Sequence, residues 1–250
     1  MRTLVATTGR ILRQLRHDKR TVGLLIVVPN LLLTLLYFMF KDVRPPIPGA
    51  PSVFNGLALT MLGIFPFLIM FLITSIAMLR ERTTGTLERL LTTPLRKTDL
   101  LFGYGIAFGL AAALQASLAC LVAYLFLGLD TKGSPGFVVL IAIGNAVLGV
   151  ALGLLASAFA KTEFQAVQFM PVVVLPQILL CGLFVARASM VGWLQAISDY
   201  LPLTYSVEAL EQVGKFTDPN GTMWRDLAIV LGCVVLALVL AASTLRRRTP

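Results

Sequence analysis

The groups able to carry acid–base, nucleophilic or metal chemistry keep to a few polar stretches of this 250-residue chain. The densest is Arg80-Glu81-Arg82-Thr83-Thr84-Gly85-Thr86-Leu87-Glu88-Arg89-Leu90-Leu91-Thr92-Thr93-Pro94-Leu95-Arg96, where charges alternate with leucines. The single histidine, His17, stands in an N-terminal arm with Arg10, Arg13, Arg16 and Arg20. Cys120, Cys181 and Cys233 show neither a disulfide framework nor metal-ligand spacing, so they read as small apolar residues. No G-x-S-x-G elbow occurs, and no G-x-x-x-x-G-K-[ST] phosphate loop. The nearest string, Gly214-Lys215-Phe216, lacks the upstream glycine and the hydroxyl that would bind magnesium. No metal site and no catalytic chemistry of the chain's own are therefore expected.

The elements around these stretches are long and uncharged. Only 13% of residues are charged and 57% are hydrophobic, against about 25% charged in a soluble domain. Uncharged runs cover residues 22–40, 53–79, 100–129, 133–160, 164–186 and 227–245. A helix needs roughly 20 apolar residues to cross about 30 Å of hydrocarbon. Barrel strands would alternate polar and apolar positions, and these runs do not. The expectation is an all-α integral membrane protein forming one domain over 1–250. Its six transmembrane helices fall at about 22–40, 55–79, 102–128, 136–160, 165–186 and 226–245. The net charge of +9 would suit nucleic acid in a soluble protein; here it reads as a basic cytoplasmic face. With the N-terminus inside, inner segments carry 15 Lys and Arg and outer ones 6. Both termini are thus expected in the cytoplasm, the protein being multi-pass in the cell membrane. Lys41-Asp42-Val43-Arg44-Pro45 offers no small-x-small cleavage site, so the first run reads as a retained helix.

Every Asp, Glu, Lys, Arg and His falls outside the six uncharged runs. Proton-coupled carriers place titratable groups at membrane depth, and intramembrane enzymes need an acid, base or metal ligand there. The polar residues at depth are Asn30, Gln115, Asn145, Gln168 and Gln177. Bonds to neighbouring helices are the plain reading for all five, with substrate contact a second reading for Gln177 beside Pro176. The chain therefore has no fuel of its own. Either it moves nothing uphill or a partner supplies the energy.

Two polar segments have helical spacing. In residues 1–21, Leu4, Ile11, Leu12 and Leu15 form one stripe, and Arg10, Arg13, Arg16 and Arg20 another. That pattern fits a helix lying on anionic headgroups, or more blandly a basic arm that only sets topology. Within 80–99, Leu87, Leu90 and Leu91 share a helical face between Gly85 and Pro94. This is either a short amphipathic helix presenting an apolar ridge to a cytoplasmic partner, or a solvated loop.

The string Arg80-Glu81-Arg82, Gly85-Thr86-Leu87-Glu88, Leu90-Leu91-Thr92-Thr93-Pro94-Leu95 resembles the signature of type 2 ATP-binding-cassette (ABC) exporter permeases between their second and third spans. Three later segments resemble the family's closing pattern: Phe159-Ala160-Lys161-Thr162-Glu163 with Gln165-Ala166, the Pro171/Pro176 helix with Gly182, and Leu201-Pro202-Leu203-Thr204-Tyr205. The resemblance covers nearly the whole chain. It implies two six-span subunits, identical or different, around a central pathway, with cytoplasmic ABC ATPases beneath. ATP and Mg would be bound by the ATPase, and this chain would carry no cofactor and no catalytic residue. Residues 84–95 would be the coupling helix, with Leu87, Leu90 and Leu91 as apolar contacts, Glu88 and Arg89 as polar ones, and Glu81 paired to nearby arginines. Thr86 and Pro94 belong to the same segment. Pro171, Pro176, Gln177, Pro202 and Tyr205 would lie along the pathway or its gate.

Residues 187–222 are apolar but broken by Asp199, Pro202 and Glu208, which suits short half-inserted outer helices. Gly105/Gly109 and Gly149/Gly153 are G-x-x-x-G pairs able to bring helices close. The leading expectation is a permease subunit of an ATP-driven exporter for lipid-like, drug-like or other amphipathic cargo, with membrane lipids, an ATPase and a second permease as partners. Phe38, Phe65, Phe67 and Phe71 leave glycans open as cargo. The rivals are a membrane anchor or sensor holding a cytoplasmic partner through 80–99, and a passive channel, for which no charged ring marks a filter.

Overall fold

Five of the long apolar helices begin where a polar side chain accepts from a free backbone N–H group. The computed structural model describes residues 2–43, 52–85 and 97–244. Their helices in order are α1 (Arg2–His17), α2 (Lys19–Phe40), α3 (Val53–Thr83), α4 (Lys97–Leu125), α5 (Pro135–Ala156), α6 (Glu163–Leu180), α7 (Gly192–Ser198), α8 (Pro202–Lys215) and α9 (Gly221–Ser243). A 3-10 turn, Arg187–Ser189, precedes α7. Ser52 accepts from the Asn55 amide at 3.1 Å, Thr162 from Gln165 at 3.2 Å and Asn220 from Met223 at 2.9 Å, so α3, α6 and α9 start on side-chain caps. Pro135 opens α5, where its missing N–H costs nothing. The helices α2, α3, α4 from Phe102, α5, α6 and α9 are long and apolar enough to cross a membrane.

At about 1.5 Å per residue the 31 residues of α3 exceed about 30 Å of hydrocarbon. One end therefore projects, carrying Arg80, Glu81 and Arg82. The rest of α3 is the hub of the fold, with Phe67, Met70, Phe71 and Met78 wholly buried. Along it lies α5, brought to backbone contact by glycines. A Cβ on Gly153 would stand 2.6 Å from the Phe71 carbonyl oxygen, and one on Gly149 would run into the Phe67 carbonyl. Within the chain, then, Gly149/Gly153 join α5 to α3. Gly109 has nothing within reach of an added Cβ.

The α8 helix is 14 residues long, too short to cross. It turns Leu203, Val207, Leu210 and Val213 inward against α3, α5 and α9. Near its start Ser206 meets Asn145, in the middle of α5. At its far end the Val213 carbonyl accepts from the Gly133 amide at 2.9 Å. α8 thus leads from mid-depth back to the end of the bundle opposite α1.

Several boundaries differ from expectation. The basic arm is not one helix to Arg20. Asp18 ends α1 and caps α2 through the Thr21 amide at 3.2 Å and the Thr21 hydroxyl at 2.6 Å, so Arg20 falls in α2. α6 stops at Leu180 rather than 186, because Gly182 takes a φ of +103° and turns the chain away. α5 ends at Ala156 rather than 160. α9 starts at Gly221, so Arg225 and Asp226 lie inside a helix long enough to span, though outside its uncharged stretch.

Candidate functional site

The projecting end of α3 is held by three other helices. Arg10 leaves the basic stripe of α1 and points inward. Its Nη2 donates to the Tyr104 hydroxyl at 2.9 Å and stands 3.6 Å from Glu81 Oε1. Glu81 is only 7% exposed, and the cation paired with it comes from α1. The fit is close, because Gly103 sits under Thr7, where a Cβ would meet Thr7 Cγ2 at 2.8 Å. On the other side Arg80 grips Glu163 with two bonds, Nε to Oε1 at 2.7 Å and Nη2 to Oε2 at 2.9 Å. Both partners are more than half exposed, so the bond orients α3 and α6 more than it stabilises them. Glu163 is also in the first turn of α6, where a carboxylate favours the helix dipole. A movement of α1, α3 or α6 at this junction is therefore felt by the other two.

Of the residues assigned to coupling, Glu81 lies in this junction. Thr86, Leu87, Glu88, Arg89, Leu90, Leu91 and Pro94 lie outside the described residues. Arg13 and Arg16 stay exposed on α1, free to face headgroups. The Asp18 carboxyl at the α1–α2 break is held below its ordinary value, chiefly by the Thr21 hydroxyl and then the Thr21 amide.

The residues assigned to the pathway are only partly brought together. Pro171 and Pro176 sit exposed on α6. Gln177 is buried. Its Nε2 donates to the Val173 carbonyl at 3.0 Å, and its Oε1 accepts from the Leu203 amide at 3.4 Å. It therefore pins α6 to the start of α8, where Pro202 takes the first helical position. Tyr205 donates to the Asp199 carbonyl at 2.7 Å. Asn145 joins three helices at once, with Nδ2 on the Gly63 carbonyl of α3 and Oδ1 accepting from Ser206 of α8 at 2.8 Å.

A second ionic cluster went unforeseen. Arg187 donates to Glu208 at 2.7 Å and to Asp199. Arg225 reaches Glu208 at 3.7 Å and donates twice to the Asp226 carboxylate, at 2.9 and 2.7 Å. Asp226 has no exposed surface. The cluster ties the segment after α6 to α7, α8 and α9. Its signal in the sequence is the mixed-sign charges of residues 187–226, set between two apolar runs and each needing a partner. Among the described residues no three His, Cys, Asp or Glu converge as metal ligands.

Residues 2–213 match the family described as ABC-2 type transporter. The chain is 26% identical over 215 residues to ABC transporter G family member 20 of Dictyostelium discoideum, a match covering 83% of this chain and 29% of that protein. It is 29% identical over 168 residues to the probable multidrug ABC transporter permease YbhS of Escherichia coli K12, covering 67% of this chain and 42% of that one. With the probable multidrug ABC transporter permease YbhR of the same organism it shares 26% over 158 residues, 62% of this chain and 42% of the relative. The matched stretch is less than half the length of each of these relatives.

Proposed function

Because the chain belongs to the ABC-2 type transporter family, and is a multi-pass membrane protein by its long apolar helices, we propose that it is the membrane-spanning permease subunit of an ATP-driven exporter. It pairs with a second permease, and a separate cytoplasmic ABC ATPase binds ATP and Mg and supplies the work. The end carrying α1 and residues 84–96 faces the cytoplasm, and the α8 end faces outward.

The observation that carries this reading is the junction of Arg10, Glu81 and Tyr104. It joins the N-terminal helix to the projecting end of α3 shortly before the segment with Leu87, Leu90 and Leu91 in sequence. A force that reaches the end of α3 at Thr83 passes along that helix into the hub of the membrane body, and reaches α1 through the Arg10–Glu81 contact. Such coupling requires ATPase contacts that differ between two states. The chain's own part is to hold that geometry; hydrolysis belongs to the partner. Cargo is amphipathic, lipid-like or drug-like, in keeping with an apolar interior and with the printed multidrug names of two relatives.

The test is co-purification of the chain with the ABC ATPase from its native membrane, followed by ATPase turnover in lipid. Wild type should retain the ATPase and change its turnover. Leu90→Arg should lose both while the chain still inserts and melts as wild type. If Leu90→Arg captures and stimulates the ATPase like wild type, the coupling assignment fails.

A further inference from the structure

At the α8 end four elements enclose an open-sided cavity of about 400 Å³, within the range of small-molecule sites. Its walls come from the first turns of α3, the α4–α5 connection, the bend after α6 and the last turn of α8. They are held apart by fixed contacts rather than by loose side chains. A Cβ on Gly214 would lie 2.7 Å from Leu59 Cδ1, so α8 already presses on α3 there. The Gly133 amide bonds the Val213 carbonyl at 2.9 Å, fixing the α4–α5 connection to α8. The Ser198 hydroxyl donates to the Leu180 carbonyl at 2.9 Å, holding the bend after α6.

Val53, Leu57 and Leu183 supply apolar wall, and Asp130, Glu211 and Lys215 supply its charges. Lys215 and Glu211 are paired at 2.7 Å, so their charges cancel. Asp130 is exposed and has no ion pair among the described residues, so the described lining of the cavity carries one surplus negative charge. The N-terminus of α3 and the C-terminus of α8 both border the space, so their dipoles offset each other. A preformed apolar recess with one uncompensated carboxylate selects a molecule with an apolar body and a single positive charge.

We propose that the cavity bounded by Val53, Leu57, Leu183, Asp130 and Glu211 binds an amphipathic organic monocation. Taking that ligand as cargo rests on the permease reading above; binding itself needs only this chain.

The experiment uses the full chain in nanodiscs of zwitterionic lipid, with empty discs as background. The probes are tetraphenylphosphonium and tetraphenylborate, which match in size and differ in charge. Wild type should bind the cation above background and better than the anion. Asp130→Asn should weaken the cation about tenfold, the effect of one charge contact at a partly wetted site, and leave the anion unweakened. Gly56→Phe fills the recess from a position where an added Cβ meets nothing within 4 Å, and should abolish the binding of both ions without lowering the melting temperature. Cation binding at background, cation binding unchanged in either variant, or equal weakening of both ions in Asp130→Asn would overturn the proposal. ATPase capture without cation binding would sink this site alone, and cation binding without ATPase capture would sink the permease reading alone.

Discussion

The α3–α5 contact makes the sharpest test of how this body is held together. Replacing Gly153 by Ala puts a methyl 2.6 Å from the Phe71 carbonyl oxygen and 3.2 Å from the Ser75 amide nitrogen. Ordinary contact begins near 3.4 Å, so the two backbones must part by roughly 0.8 Å (3.4 less 2.6) or the helices must slide. Neither adjustment is local, because Asn145 ties both helices to α8 and Gly149 makes a second close approach one turn away. Overpacking of this kind costs about 1–3 kcal/mol, while the helical preference of Ala over Gly returns up to about 1 kcal/mol. The net expectation is about 1–2 kcal/mol of destabilisation, or ~2–8 °C in melting temperature for a chain of this size. Gly109→Ala makes the same chemical change on α4, where an added Cβ meets nothing within 4 Å, and should melt at or slightly above wild type. The assay is a thermal ramp of purified protein in one detergent, read by loss of the monodisperse peak. Equal melting of Gly153→Ala and Gly109→Ala would refute backbone contact between α3 and α5.

Arg10→Ala and Tyr104→Phe should each reduce ATPase stimulation while sparing ATPase capture. Their double-mutant cycle should give a coupling of about 0.5–1.5 kcal/mol in stability, and additivity would dissolve the junction. Asp18→Ala should cost about 1 kcal/mol by removing the α2 cap. The Asp18 carboxyl titrates lower in the folded chain than in the unfolded one. The advantage of wild type over Asp18→Ala is therefore full above the ordinary carboxylate range near pH 4 and disappears as pH falls through the lowered value; a constant difference down to the most acidic pH would contradict the cap. Arg187→Ala strips Asp199 of its cation and leaves Glu208 only the more distant Arg225, and should destabilise by about 1–2 kcal/mol. Lys215→Ala breaks an exposed one-turn pair and should stay within about 0.5 kcal/mol in the same melt.

What could be read from residues alone was whatever lipid dictates. Runs of 19 or more uncharged residues leave few alternatives to spanning helices, and six such runs correspond to the six candidate spans. Their ends were read less well, since lipid tolerates apolar residues whether or not they are helical. The run through 186 gives no hint that α6 stops at Leu180; the stop depends on Gly182 adopting a positive φ, which only the packed structure demands. At the other boundary Asp18 looked like one more polar residue of a basic arm. Its carboxylate instead takes the Thr21 amide and hydroxyl, and that local bond outweighs continued helix.

The functional geometry divides along the same line. The pairing of Glu81 with an arginine was foreseeable, because a carboxylate flanked by Arg80 and Arg82 needs a cation; that the partner is Arg10, 71 positions earlier, required the fold. The sequence leaves Gln177 open as a helix bond or a substrate contact, and its amide bonds to the Val173 carbonyl and the Leu203 amide favour the helix bond. Asp226 lies just before an uncharged run, so the charge pattern alone places it outside the span. A helix does not begin where charge ends. It begins at its cap, here Asn220, and its first turns can carry a carboxylate inward if an arginine comes along with it. The same logic makes the part of this protein from the bend after α6 to the start of α9 an electrostatic assembly set into an apolar body. Most of its charges are compensated in pairs, Arg187 with Asp199 and Glu208, Arg225 with Asp226, Lys215 with Glu211, while Asp218 has no ion pair among the described residues. Asp130, which bears no such partner among the described residues, is where a ligand's charge would be felt most.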